Sequence, residues 1–469
     1  MSKKLIGIVI LGICLLLCGC GSKLGSNQAL ESPQIPNYKK SETVDFDIYL
    51  DGTTSMYGYV NYPGSTIYVD AIKNIERTAS ENWKKETTNY IKFGDDFKKM
   101  SRDEFLQMDK VPFYDQKDTS LQKVIEQCDD KKINVIVSDL FQTNQDIDSL
   151  LMSLKNKCLS TNKALAVIGM RSQFNGKIFD VGKNLSSFDY ASNDDQKSYR
   201  PFYVLVFGNE NDVRHFVLSY SKKMPTNAQL QSAFFASNIG IENSMEADKL
   251  TSKEVPEKKD KKTKIAPLAE ISNLVPDGHV KQYRLKTSEK LSQADIRIFS
   301  KDIIGKCPDE YSIQIDKVEQ WTANGSTGQE KSGLLDKIKG SSKTKSAYSF
   351  EEIKVDNFFK GEVTSVGLKN GVANFAITLT VDPACIQKKT GKYRVNFSLI
   401  PTKEKYNAMC NVFNSWNFED NQIGEDPATF SSMGSKTLNI TKFITNLSNL
   451  NYELNQPGIH NNYVYFDVV

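Results

Sequence analysis

Two hydrophobic periods divide the chain. Between Val44 and Tyr220, apolar runs of strand length alternate with segments whose apolar residues recur at helical spacing. Val44 to Leu50 reads as a strand, and Tyr68, Ile72, Ile75 and Ala79 then line one helical face. Leu121, Val124, Ile125 and Cys128 line a second helix, and Ile133 to Val137 is almost wholly apolar. Ile147, Leu150, Leu151, Leu154 and Cys158 mark a third helix. Ala164 to Met170 and Pro201 to Phe207 follow as strands, and Val213, Phe216, Val217 and Tyr220 as a further helix. Strands buried on both faces and separated by amphipathic helices predict an α/β domain with a doubly wound, mostly parallel sheet.

Beyond residue 225 the period becomes two. Ala373, Phe375, Ile377, Leu379 and Val381 share one face of a strand; Tyr393, Val395, Phe397 and Leu399 share a face of the next; Val464, Phe466 and Val468 line a third. Such alternation puts one face on a core and one in water, which predicts a β-rich, sandwich-like domain. One helix interrupts it, with Phe443, Leu447 and Leu450 on one face. The charged stretch Lys253 to Lys264, KEVPEKKDKKTK, reads as solvated linker. The expected organisation is an α/β domain over 43–222, a linker region over 223–267 and a β-rich domain over 268–469.

The amino terminus follows neither period. Lys3 and Lys4 precede an uncharged run from Leu5 to Leu17, too short to cross a bilayer core of about 30 Å as a helix. It ends in Leu17-Cys18-Gly19-Cys20, which resembles the processing box of bacterial lipoproteins. The resemblance implies a signal peptide over 1–19, a lipid on Cys20, and anchorage at the extracytoplasmic face of the bacterial cell membrane. Residues 20–42, rich in Ser, Gly, Asn, Pro and Lys, then read as a flexible tether.

Composition narrows the function. Among 469 residues, 60 Lys and Arg nearly balance 57 Asp and Glu, so no general pull toward nucleic acid exists. Five cysteines follow Cys20: Cys128, Cys158, Cys307, Cys385 and Cys410. An odd number without a CxxC unit predicts neither a disulfide framework nor a structural zinc site. Cys128 and Cys158 fall on apolar helix faces and read as buried thiols. His215, between Val213 and Phe216, reads as a packed or helix-surface side chain. The long connection from Met170 to Tyr199 reads as an insertion able to carry a partner surface.

Candidate chemistry gathers where the apolar strands end. Asp51-Gly52-Thr53-Thr54-Ser55 follows the first strand, Asp118-Thr119-Ser120 precedes the second helix, and Ser138-Asp139-Leu140 closes the apolar strand after it. In α/β sheets ligands bind outside the carboxyl ends of the strands. A carboxylate followed by hydroxyls at alternate positions aims hard oxygens at one point.

These residues resemble the von Willebrand factor A-type domain with its metal-ion-dependent adhesion site, over about residues 43–222. The resemblance implies that Asp51, Thr53, Ser55, Thr119 and Asp139 surround one divalent ion, Mg²⁺ or Mn²⁺. It also implies noncatalytic binding of a protein or cell-envelope ligand that offers a carboxylate. Two positions depart from the family pattern: Thr53 stands where serine is usual, and Leu140 where glycine commonly follows the later aspartate. Asp-Gly-Thr is also similar to the first motif of haloacid-dehalogenase-type phosphatases, Asp-x-Asp-Gly-Thr. There the nucleophile position is Tyr49 in this chain, which cannot form an aspartyl phosphate. A metal-free structural envelope lipoprotein is the other alternative.

Overall fold

The computed structural model describes residues 30–34, 36–117, 121–140, 144–181, 186–247, 265–277, 280–289, 291–323, 348–419 and 432–469. The signal segment, Cys20, Thr119 and the charged stretch 253–264 lie outside these residues.

The first half runs β1 (Thr43–Asp51), α1 (Ile67–Asn82), β2 (Lys85–Phe93), β3 (Phe97–Met100), α2 (Leu121–Gln127), β4 (Ile133–Ser138), α3 (Asn144–Lys157), β5 (Ala164–Ser172), the hairpin β6 (Asn175–Val181) and β7 (Ser186–Ala191), β8 (Arg200–Gly208), α4 (Glu210–Ser221) and β9 (Gln231–Phe235). Its seven-stranded sheet has the order β3-β2-β1-β4-β8-β5-β9. Alternate residues of each central strand feed opposite cores. Ile72, Ile75, Val213, Phe216 and Val217 of α1 and α4 pack with Phe46, Ile48, Val135 and Val204. On the other face, Val124, Ile125, Leu150 and Leu154 of α2 and α3 pack with Tyr49, Ile136, Leu165 and Leu205. The predicted α/β layering with helices on both faces is therefore present.

The expectation of a mostly parallel sheet is corrected. Only the two pairings of β1, with β2 and β4, are parallel; β2–β3, β4–β8, β8–β5 and β5–β9 are antiparallel. A strand buried on both faces carries the same apolar run whichever way it points, so hydrophobicity alone does not encode its direction. The chain leaves β5 through the β6–β7 hairpin rather than a crossover helix, and re-enters as β8 antiparallel to both neighbours.

The second half forms two facing sheets. They are built from β10 (Ile241–Ala247), β11 (Ile265–Pro267), β12 (Ala269–Glu270), β13 (Lys281–Leu285), β14 (Leu291–Lys301), β15 (Tyr311–Ala323), β16 (Tyr348–Glu352), β17 (Phe359–Lys369), β18 (Val372–Val381), β19 (Gly391–Pro401) and β22 (Ile459–Val468), the last being numbered after two short strands, β20 (Asn417–Phe418) and β21 (Thr437–Leu438). One sheet has the order β10-β14-β18-β17 with β11 beside β14; the other runs β12-β13-β22-β19-β15-β16. The period of two is realised in β18, where every second residue from Ala373 to Val381 is buried. Ile296, Ile298, Phe375 and Ile377 pack with Val395, Phe397, Val464 and Phe466 in one core. Helices α5 (Lys403–Cys410) and α6 (Ile440–Asn455) join that core to the α2–α3 side of the first half, through Tyr406, Phe443, Ile444 and Leu447.

The described residues of two stretches read as loose are packed. Within 223–267, β9 is the edge of the seven-stranded sheet and β10 the edge of a sandwich sheet. Of the expected tether, Leu30 is buried with Leu274, Val275, Val280 and Tyr465, and its N–H donates to Leu274 O at 2.8 Å. Ser41 N–H and Oγ–H both donate to the Asp212 carboxylate at 2.7 Å. The five cysteines are free, and burial pushes the Cys128 thiol up to about 12. His215 packs edge-on against Trp83 and contacts Asn82 Oδ1 at 3.1 Å.

Arg214 fastens the halves together. Its guanidinium is 1% exposed and donates to Asn238 O, Ile239 O and Asp302 O, pairs with Glu210 at 3.0 Å, and lies over the Phe234 ring. Those carbonyls belong to the β9–β10 turn and the segment after β14. Arg214→Ala should cost about 3–5 kcal/mol, because it takes the donor from three carbonyls and the cation from Glu210 at a part-buried junction. Chemical denaturation measures it; a loss below about 1 kcal/mol would contradict this role.

Candidate functional site

Because β1 and β4 are parallel neighbours, their carboxyl ends lie side by side, and Asp51 and Ser138 meet there. Ser138 Oγ donates to Asp51 Oδ2 at 2.9 Å. Thr53 donates twice to Asp51 Oδ1, from its N–H at 3.0 Å and from its hydroxyl at 2.7 Å. Thr53 Oγ1 and Ser55 Oγ are 2.9 Å apart. Asp51 and Thr53 are sealed at 0% and 1% exposure, while Ser55 is half-buried.

The loop is pinned from two sides. Gly52 N–H donates to Phe93 O at 2.8 Å, Thr54 N–H to Gln116 O at 2.9 Å, and Gln116 N–H returns to Gly52 O at 3.1 Å. The chain is thus held against the DGTTS loop three positions before Thr119. Gly52 is required by a close approach: a Cβ there would sit 2.6 Å from Lys92 Cγ. The buried Lys92 stem passes beneath the loop, and its ammonium donates to Phe113 O and to Asp115.

Asp139 completes the described part of the cluster. It is 5% exposed, and Arg200 Nη2 donates to its Oδ2 at 3.1 Å. Arg200 opens β8, its guanidinium lying over the Phe174 ring beside the β6–β7 hairpin and reaching Gly434 O at 3.4 Å. Leu140 has φ +47°, the left-handed conformation that glycine adopts without cost. The backbone after Asp139 therefore keeps a glycine-like shape although the residue is leucine. Its N–H donates to Ser138 Oγ at 3.3 Å and its side chain is buried in the α2–α3 core.

Burial pushes the Asp51 carboxyl up to about 6, with the negative charge of Asp139 adding to the rise and the Thr53 and Ser138 hydrogen bonds opposing it. Four of the five sequence-predicted oxygen residues lie at this sheet edge. Asp51, Thr53 and Ser55 form one hydrogen-bonded chain, and Asp139 lies close enough to act on Asp51 electrostatically. Thr119 is outside the described residues. Ser138 and Arg200 join the cluster although the oxygen motif does not include them. Arg200 carried a usable signal, a cation leading an otherwise apolar strand. Asp47, four residues before Asp51 on β1, is bonded to Lys132 and Asn89. Among the described residues no three His, Cys, Asp or Glu side chains converge as metal ligands; this cluster offers two carboxylates and hydroxyls instead.

Comparison with protein-family models, with curated proteins and with solved structures gives no match to this chain.

Gly52→Ala should destabilise the chain by about 1–3 kcal/mol through displacement of Lys92; an unchanged denaturation midpoint would contradict the close approach. In EDTA, the raised Asp51 carboxyl means that folding favours its neutral form. That contribution is complete below about pH 4 and is lost as pH rises through about 6, on the order of 3 kcal/mol. Asp51→Asn should remove most of this slope in denaturation series between pH 4 and 7.

Proposed function

We propose that this chain is a lipid-anchored envelope protein that binds a protein or another envelope ligand through a divalent cation, without catalysis. Asp51, Thr53, Ser55, Thr119 and Asp139 would hold Mg²⁺ or Mn²⁺, in the manner of a von Willebrand A-type adhesion site. The carrying observation is the Asp51–Thr53–Ser55 oxygen chain, buried at its inner end and half-open at Ser55. Hydroxyls with few carboxylates suit Mg²⁺, which demands octahedral oxygen ligands and keeps several waters. The positive charge of Arg200 offsets part of Asp139, so a bound ion would retain electrophilicity for a carboxylate from the partner. Cation and partner binding would then be coupled. With lipid on Cys20 and Leu30 docked on the sandwich, ten residues of chain can span at most about 35 Å, which would keep the body near the membrane.

A second reading, a metal-free scaffold, is favoured by one observation: the Arg200 guanidinium already pairs with Asp139 in a nearly dry site. Thermal melts of the full chain separate the two. The metal reading predicts that Mg²⁺ raises Tm relative to EDTA, by a stabilisation of about 2.7 kcal/mol at one hundred times Kd, and that Asp51→Ala abolishes the rise. Identical melts, with no calorimetric heat for Mg²⁺ or Mn²⁺, would leave the scaffold reading.

A further inference from the structure

Three neighbouring strands of the second half become irregular at one place. In β15, Asp316 is passed over between Ile315 and Lys317 in the pairing with β19; in β19, Ser398 is passed over between Phe397 and Leu399 in the pairing with β22. In β22, Asn461 takes φ +62°. Bulges re-aim side chains, and here they bring Asp316, Ser398 and His460 together. Ser398 Oγ lies 2.6 Å from Asp316 Oδ2 and 2.8 Å from His460 Nδ1. His460 Nε2 lies 3.1 Å from Ser237 O, on the turn between β9 and β10. Ser398 is 1% exposed.

Donor counting decides what this row contains. A carbonyl only accepts, so Nε2 carries a hydrogen. Ser398 has a single hydroxyl hydrogen for two neighbours. If it goes to an Asp316 carboxylate, Nδ1 must donate to Ser398 and the ring is an imidazolium. If it goes to Nδ1, Asp316 must be the neutral acid that donates to Ser398. Both arrangements contain one proton more than ionised Asp316 with neutral His460. Without that proton, two lone pairs face each other across the 2.6, the 2.8 or the 3.1 Å contact, and one of the three must open; with the ring hydrogen on Nδ1 it is the contact to Ser237 O. We infer that Asp316, Ser398 and His460 form a proton-binding site that fastens the sandwich to the Ser237 turn when loaded and loosens it when empty.

The surroundings leave Asp316 as the acid joined to the ring through Ser398. From α4, Glu210 accepts from Ser237 Oγ at 3.1 Å but is paired with Arg214. From the amino-terminal segment, the Tyr38 phenol accepts from Asn461. On β22 itself, the Tyr463 phenol is raised by burial, with Asp316 contributing. Burial likewise raises the Asp316 carboxyl, against the pull of Ser398 and His460. Because folding raises the Asp316 carboxyl, the contribution of the loaded junction is complete below about pH 4 and is lost as pH rises through the folded value of that carboxyl.

The chain has three histidines, His215, His279 and His460, so ring-nitrogen NMR of the histidine-labelled full chain can be assigned with single His→Gln variants. The His460 ring nitrogens and the Asp316 carboxyl carbon, labelled together, should report one shared proton leaving the row in a single coupled step. Asp316→Asn should abolish the shared step, and Ser398→Ala should split it into two independent ones. Two independent steps in the wild type, or a shared step that persists in Ser398→Ala, overturns the inference.

Discussion

A carboxylate shut away from water must be answered by protons, hydrogen bonds or positive charge, and Asp51 is the group on which that constraint falls hardest here. It takes two bonds from Thr53 and one from Ser138, and it has Asp139 close by. Three hydrogen bonds lower the cost of burying one negative charge but do not remove the repulsion between two. Arg200 relieves part of it through Asp139. A divalent ion at the Thr53 and Ser55 oxygens would relieve the rest.

The architecture makes this cluster possible through one local feature. β1 is the strand whose two pairings are both parallel, so its carboxyl end lies beside that of β4, and the DGTTS loop emerges next to Ser138 and Asp139. The antiparallel β8 then brings its first residue, not its last, to the same edge. This is how Arg200 comes to face Asp139. The departure from a parallel sheet and the appearance of a guanidinium in the site are one structural event.

Much of the layering was legible in the sequence. Ile133 to Val137 and Pro201 to Phe207 are strands buried on both faces, and the helix faces named from Ile72, Val124, Leu150 and Phe216 are core. Strand direction was not legible, because burial on both faces erases the pattern that would distinguish up from down. β2 escaped notice because its first half, Lys85 to Thr88, is polar and lies near the edge. The docking of Leu30 and Ser41 escaped for a different reason: a single apolar residue and a single serine have no period, and their partners Leu274 and Asp212 are distant in sequence. In the site, the oxygen residues were visible as a motif. Ser138 and Arg200 were not, since their roles depend on which strands become neighbours.

The central claim is that the oxygens of Asp51, Thr53 and Ser55 surround a cation. Anomalous diffraction from crystals of the chain grown with Mn²⁺ tests this most directly. The account predicts a manganese peak within about 2.2 Å of oxygens from those three residues, with Thr119 or water completing the octahedron. A well-ordered site with no such peak, in which Thr53 and Ser138 still donate to Asp51 and Arg200 still holds Asp139, would contradict it.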